Sequence, residues 1–599
     1  LSDHEERSRK VLTLTTYLCI GFVTAFFGGI FLLSPLSAWD APGHVFAATY
    51  FEQHLWPWFS GWNSLAFGGF PQGYFYPSLF HWLAGGMGKV IGVTASLKLL
   101  IVISLALLPF SLNTFLKSLG IRGYDKLLAL TWIFVFLTVA PSLFGGTFQG
   151  LIVGGLLSHQ FTMPLYFFYL TCLKDGTHST HKLMAASALL ALIILAHAFV
   201  ALAAALASLI YLFIFYRSKR LAIRYGAHLI VTSALSLCWT APFFLFHEFQ
   251  SGRFLDKYEP LWLFMAALIA ILGFAIAKTK EGNAIQTIAW LLSWLLLPLW
   301  LSGEIFYRFT FPYPLHMHRL WAFVMIYVAI ILSFATRWLR QSILVLGLSI
   351  IIFIGVFLRV YDVGGLRKSA RVFPSRPFFS NQLGLIAAPR NLADVNDELR
   401  RANARHLLAH SFLMQGARLL NGLFIESAGN SAAINSTLME LMGKPEVWGV
   451  SGYTPNSGLL AEHLKYLGVC WVGTFQPELI DASMKRLGAS KPLLVSIPMQ
   501  INNEFIKQAL SVYRIPCARA DVISSPEFVP NAEWKNRIEQ WWTNKHAISS
   551  VLVSIPRGVS VDVSGVSFDP RTPVRVEEIS AEHFRVFIDT PVEQFVYLK

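Results

Sequence analysis

The chain is poor in charge. Asp, Glu, Lys and Arg supply 14% of its 599 residues, against roughly 25% in soluble domains, and the shortfall excludes an ordinary soluble protein. Cysteine is scarce as well. There are five, with no CxxC pair and no zinc-type Cys/His spacing, which excludes a thioredoxin-like redox centre and a structural zinc site. No Gly-rich nucleotide loop, fixed-period repeat or low-complexity tract is present, so nucleotide-loop enzymes, solenoids and compositionally biased linkers are also set aside.

What the chain has instead is apolar sequence, 55% of the total, gathered in long runs. The first, "VLTLTTYLCIGFVTAFFGGIFLL" at 11–33, is long enough to cross a hydrocarbon core of roughly 30 Å at about 1.5 Å per residue. It lacks a small-residue cleavage pattern and reads as a retained helix. Ten further runs follow near 96–117, 126–142, 159–173, 182–197, 198–216, 225–246, 260–278, 284–301, 319–336 and 341–360. The net charge of +14 lies largely in the short loops between them, where it sets orientation and requires no nucleic-acid partner.

Those loops give a topology. With "HEERSRK" cytoplasmic, alternation puts "LKSLGIRGYDK", "LKDGTHSTHK", "YRSKRLAIRYG", "AKTKEG" and "TRWLRQ" on the same side, and all five carry Lys or Arg, as the positive-inside rule requires. The count holds only if "YFYPSLFHWLAGGMGKVIG" lies along the outer face. The stretch 182–216 would exceed about 50 Å as one helix, so it is read as two spans with a turn at His197. The expectation is a polytopic α-helical membrane protein of 11 spans in the cell membrane, its N-terminus cytoplasmic. The membrane part covers 1–360, with a first outer loop at 34–95.

Beyond residue 360 the composition becomes that of a globular domain, expected to be extracytoplasmic and α/β over 361–599. "ADVNDELRRANARHLLAHSFLMQ" and "SGLLAEHLKYLG" have helical periodicity, and the final 40 or so residues alternate as antiparallel strands. Cys19, Cys172 and Cys238 fall in apolar runs as small hydrophobes. Cys470 and Cys517 are expected to pair if this part is outside; the alternative is a free Cys470 thiol in a buried strand "YLGVCWVG".

With sides assigned, the outer span ends collect Asp40, His44, Glu52, His54, Gln149, His159, Gln160, His197, His247, Glu248, Glu304, Arg308, His316, His318 and Arg319. Ionisable groups at the edge of apolar spans are functional candidates, and histidine serves near neutral pH as acid, base or ligand. Asp40 has two readings, either the N-cap of a helix starting "APGH" or a reactive carboxylate. The loop that follows is dense in aromatics, and "GGFPQGYFYP", which contains Tyr74 and Tyr76, has the Gly/Pro spacing of a shaped loop. Its aromatics are either an interfacial belt or faces on which sugar rings stack.

The pieces "DAPGHVFAATYF", "GGFPQGYFYPSLFHWL", "GGLLSHQFTMPLYFFYL", "LAHAFVAL" and "MHRLWAF", in this order and on one side, resemble the GT-C superfamily of polyprenyl-phosphate-sugar-dependent glycosyltransferases. Within it they are most similar to the bacterial and archaeal membrane family labelled 6-pyruvoyl-tetrahydropterin-synthase-related, a label that does not imply pterin chemistry. No DxD or WWDxG-type signature is present, so the oligosaccharyltransferase branch and its metal-dependent chemistry are not implied.

The resemblance implies a GT-C-like membrane domain that transfers sugar from a polyprenyl-phosphate donor to a glycan, lipid or protein acceptor, with inversion at C1. Asp40 matches the superfamily's catalytic base. Arg308, His318 and Arg319 are the candidates for holding the donor phosphate, against simple snorkelling of Arg319. His44, Tyr74, Tyr76, His159 and His197 are candidates for holding sugar and acceptor, against satisfied helix-end residues. The resemblance fixes no cofactor. Asp40, His44, Glu52 and His159 are suitable types for a divalent metal, with nothing to fix their geometry. A non-catalytic scaffold of the same fold and a transporter remain as alternatives, the transporter disfavoured because the polar groups gather at one face and not at the midplane.

Overall fold

The computed structural model describes chiefly residues 2–33, 40–66, 69–139, 146–152, 154–245, 260–277, 282–304, 317–336 and 347–356, then 459–475, 477–501, 504–516 and a few separate strands. Each of the ten later apolar runs carries a helix. The elements are α1 (Ser2–Leu33), α2 (Ala41–Tyr50) continuing into a π-helical turn (Phe51–Leu55), a hairpin of β1 (Gly61–Asn63) and β2 (Phe70–Gln72), and α3 (Leu79–Ile91). There follow α4 (Val93–Ser118), α5 (Gly123–Val139), α6 (Phe148–Ile152), α7 (Leu157–Asp175), α8 (Thr180–Ala196), α9 (Ala198–Phe215), α10 (Lys219–Leu245), α11 (Pro260–Ala277) and α12 (Gly282–Glu304). A 3-10 turn (Met317–Leu320) leads into α13 (Trp321–Ala335), and a last apolar helix is Gly347–Val356.

Among the described residues four helical segments are long and apolar enough to cross a membrane, Lys10–Leu33, Val93–Ser118, Ala198–Phe215 and Lys219–Leu245, and five shorter apolar helices accompany them. The protein is thus a multi-pass helical membrane protein. The helices show lipid-facing character directly. On α4 the buried residues Leu97, Leu100, Ile101, Ser104, Leu105, Leu108 and Leu112 recur at helical spacing, while Ile103 and Phe110 on the opposite side are 46% and 64% exposed. A helix apolar on every side, with one face buried in protein, is at home in lipid.

The buried face of α4 packs on α7, which also meets α8 and α9; α5 and α12 meet α13. Because lipid tails are as apolar as the helices, close packing and interhelical hydrogen bonds hold such a bundle. Ser104 Oγ donates to Gln160 O at 2.6 Å, joining α4 to α7, and the Tyr166 and Tyr327 hydroxyls meet at 2.5 Å, joining α7 to α13. The stretch from 182 to 216 breaks where its length requires: α8 ends at Ala196, α9 begins at Ala198, and His197 between them is extended (φ −161°, ψ 115°). The short α3 packs against α2, the π turn and α4. Its Gly85 permits this, since a Cβ there would lie 2.8 Å from Phe51 Cβ and 2.9 Å from Ala48 O.

In the C-terminal part a mixed sheet runs β3-β7-β8-β6-β4-β5, where β3 is Arg371–Val372, β4 Leu383–Ile386, β5 Arg418–Leu419, β6 Trp471–Thr474, β7 Leu493–Ile501 and β8 Glu504–Arg514. Leu460–Tyr466 is helical, and Val574–Ser580 pairs antiparallel with His583–Ile588, matching the periodicities of these segments. The helix expected over 393–415 lies outside the described residues. The β6 strand is buried throughout, and Cys470 just before it is disulfide-bonded, whereas Cys19, Cys172 and Cys238 are free thiols. Cys517 lies outside the described residues.

Candidate functional site

Asp40 stands at the N-cap position of α2, with Pro42 in the first turn, as the sequence reading requires. Its side chain makes no capping hydrogen bond. The carboxylate turns instead to Arg319, with Oδ2 3.5 Å from Nη2. The backbone holds Asp40 in place, its N–H donating to Gly154 O at 3.2 Å and its carbonyl accepting from His44 N–H at 3.0 Å. Arg319 comes from the 3-10 turn before α13, and its guanidinium also sits 5.7 Å from the Phe199 ring.

Two histidines from separate helix ends complete this centre. His159, in the first turn of α7, places Nε2 3.0 Å from Arg319 O. His197 caps α9, its Nδ1 accepting from Val200 N–H at 3.3 Å. The two rings are 5.1 Å apart and perpendicular, at 88°. Both are buried, as is the Gln160 side chain beside His159. Gly146 presses on His159 with φ +77°; a Cβ there would come within 2.1 Å of the ring, so only glycine fits.

A second group adjoins it through Tyr76. The Tyr76 ring lies 6.3 Å from His197 and 5.9 Å from His81, and its hydroxyl meets Ser158 Oγ at 2.6 Å. His44, one turn along α2 from Asp40, places Nδ1 2.7 Å from His81 Nε2. Burial in α3 pushes the His81 imidazole down to about 3, because a charged ring cannot be solvated there. In a neutral pair one ring donates and the other accepts.

The structure therefore brings together Asp40, His44, Tyr76, His159, His197 and Arg319 from five segments. Tyr74 is set in the turn after β2, its N–H bonded to Pro71 O. Arg308 and His316 lie outside the described residues; His318 belongs to the 3-10 turn beside Arg319. His81, Ser158 and Phe199 were not singled out by sequence, although His81 lies inside the quoted "YFYPSLFHWL". Among the described residues no three His, Cys, Asp or Glu side chains form a group that could hold a metal. Of the four possible ligands, the Asp40 carboxylate meets Arg319, His44 meets His81, His159 Nε2 meets Arg319 O, and Glu52 lies on the π turn beyond α2. These residues do not fit a metal centre.

The chain is a helical bundle with a first loop of short helices, and its polar cluster lies where helices begin and end. No family model matches the chain, and no curated protein matches it. Among solved structures, arabinofuranosyltransferase AftD from Mycobacteria, as a mutant in two classes, matches with TM-scores of 0.52 and 0.50 at 16% identity, each over 87% of this chain and 43% of that one. Archaeal oligosaccharyltransferase AglB from Archaeoglobus fulgidus, in complex with an inhibitory peptide and a dolichol-phosphate, matches with a TM-score of 0.45 at 10% identity, over 82% of this chain and 74% of that one. The chain spans less than half the length of AftD, and the likeness is one of fold.

Proposed function

We propose that the chain is an integral membrane glycosyltransferase that moves a sugar from a polyprenyl-phosphate donor to an acceptor at the outer face of the membrane. The observation that carries this reading is the largely buried contact of Asp40 with Arg319, a carboxylate and a guanidinium meeting at one end of a helical bundle. The acceptor hydroxyl attacks C1 of the donor sugar, the bond from C1 to the phosphate oxygen breaks, and Asp40 takes the hydroxyl proton. In-line displacement inverts C1. Arg319 neutralises the departing phosphate, a role suited to its permanent charge and planar fork of donors. Arg308 and His318 extend the phosphate site, and Tyr74, Tyr76 and His44 line the sugar and acceptor side.

The same reading places eleven spans in 1–360, the N-terminus in the cytoplasm, the 361–599 α/β domain outside, and membrane lipids around the bundle. The acceptor is a glycan, lipid or protein. No step is routed through a metal. Mass spectrometry of envelope glycans and lipid-linked sugars, in cells with and without the protein, tests the proposal. Loss of one sugar from a glycan with build-up of its polyprenyl-phosphate form is expected; unchanged profiles of both would overturn it.

A further inference from the structure

His197 and His159 stand side by side at Arg319, yet the backbone engages them in opposite ways. His197 Nδ1 accepts the Val200 N–H, so the proton of that imidazole sits on Nε2. This Nε2 is buried and has no hydrogen-bond partner. In His159, Nε2 meets the Arg319 carbonyl. A carbonyl only accepts, so Nε2 carries the proton and commits it to the main chain of the 3-10 turn. On its other edge His159 Nδ1 is buried without a partner and packs beside Gly146, where a Cβ would lie 2.6 Å from it.

Other polar atoms beside His159 are also buried without a partner, the Gln160 amide among them. Arg319 Nε is buried without a partner, and its guanidinium is 5.7 Å from the ring of Phe199, which in turn is 5.9 Å from the His197 ring. A buried N–H without an acceptor is costly. The Arg319 Nε–H and the His197 Nε2–H, on either side of the Phe199 ring, are donors suited to an oxyanion, because charge-assisted hydrogen bonds to phosphate are the strong ones.

We propose that His197 Nε2–H donates to a phosphate oxygen of the ligand beside Arg319, while His159 is a positioning residue that holds the Arg319 main chain and touches no ligand. The assignment rests on the glycosyltransferase reading above and adds to it which atom does the binding. A neutral N–H of this kind reads the phosphate without adding a second charge to the membrane edge.

Binding of sugar-free polyprenyl phosphate, and separately of inorganic phosphate, to the full chain in nanodiscs tests this without any need for turnover. His197→Asn keeps both an oxygen to cap α9 and an N–H donor, His197→Asp keeps the oxygen without a donor, and His197→Gly, well tolerated at an N-cap, has no side-chain donor. Polyprenyl phosphate should bind His197→Asn within about threefold of wild type, and the Gly and Asp variants at least about tenfold more weakly, as expected for one lost hydrogen bond to a charged group. Melting temperature reports folding, and His197→Gly carries the test if His197→Asp does not fold. Wild-type affinity in a folded Gly variant would overturn the donor role. For His159, His159→Gln, whose amide can still reach the Arg319 carbonyl, should bind like wild type, and His159→Leu should bind about tenfold more weakly; a folded Gln variant as weak as Leu would overturn the positioning role. Inorganic phosphate binding as tightly as the lipid would assign the site to free phosphate instead. Failure of the wild type itself to bind polyprenyl phosphate counts against the donor reading as a whole, whereas wild-type binding with unaffected variants counts against this assignment alone.

Discussion

The Asp40 carboxylate and the Arg319 guanidinium lie 3.5 Å apart across 279 residues of chain, with side-chain exposures of 9% and 14%. At 3.5 Å this contact between largely buried charges is long for an ion pair, and burial removes hydration that close hydrogen bonds replace. The carboxylate faces Arg319 and does not cap the helix that begins beside it.

Asp40→Asn removes the proton acceptor while preserving size and an oxygen for Arg319. Loss of a positioned base should lower transfer by roughly 10² to 10⁴, with little change in the helix start, because the Asp40 side chain makes no cap. Complementation of a deletion strain checks this. A folded Asn variant that restores the glycan at ordinary expression would sink the catalytic assignment.

Arg319→Lys keeps the positive charge but loses the fork and the buried Nε donor. Donor affinity should fall about tenfold, measured by titrating polyprenyl phosphate. An Arg319 that merely extends toward the headgroups would make the substitution silent.

The His44–His81 pair makes stability depend on pH. The folded His81 titrates at about 3 and the unfolded side chain at about 6.5, so between these values the unfolded chain binds more protons. Stability is therefore fully present above about 6.5 and declines as pH falls toward 3. Melting temperature in detergent should drop between pH 7.5 and pH 5, and His81→Gln should flatten that slope. An equal drop in wild type and variant would show that other groups govern the acid response.

Orientation is open to a direct check. In a version lacking the free thiols Cys19, Cys172 and Cys238, cysteines introduced as His178→Cys, in the loop before α8, and Lys491→Cys, before β7, should differ toward an impermeant thiol reagent. Only the second should react from outside intact cells. Labelling of His178→Cys alone would invert the topology.

Much of the architecture was legible in the chain itself. A membrane of fixed thickness forces a break in any apolar run too long for one span, so length required a turn within 182–216, and the polar His197 of "AHAF" marked its place. Pro42 after Asp40 marked the start of α2 for a similarly local reason, the preference of proline for a first helical turn. The common side of Asp40, His159, His197 and Arg319 also followed, because loop charge and strict alternation of spans act one loop at a time.

The contacts themselves were decided only by tertiary structure. Asp40 with Arg319, and His159 with the Arg319 carbonyl, join residues 279 and 160 positions apart. A helix that is apolar on every side carries no periodic signal of which face turns inward, so its rotation, and with it the direction of each polar residue at its end, is set by packing against its neighbours. That rotation brought His81, an unremarked member of α3, against His44, and left His197 with its buried N–H turned away from the backbone that caps it.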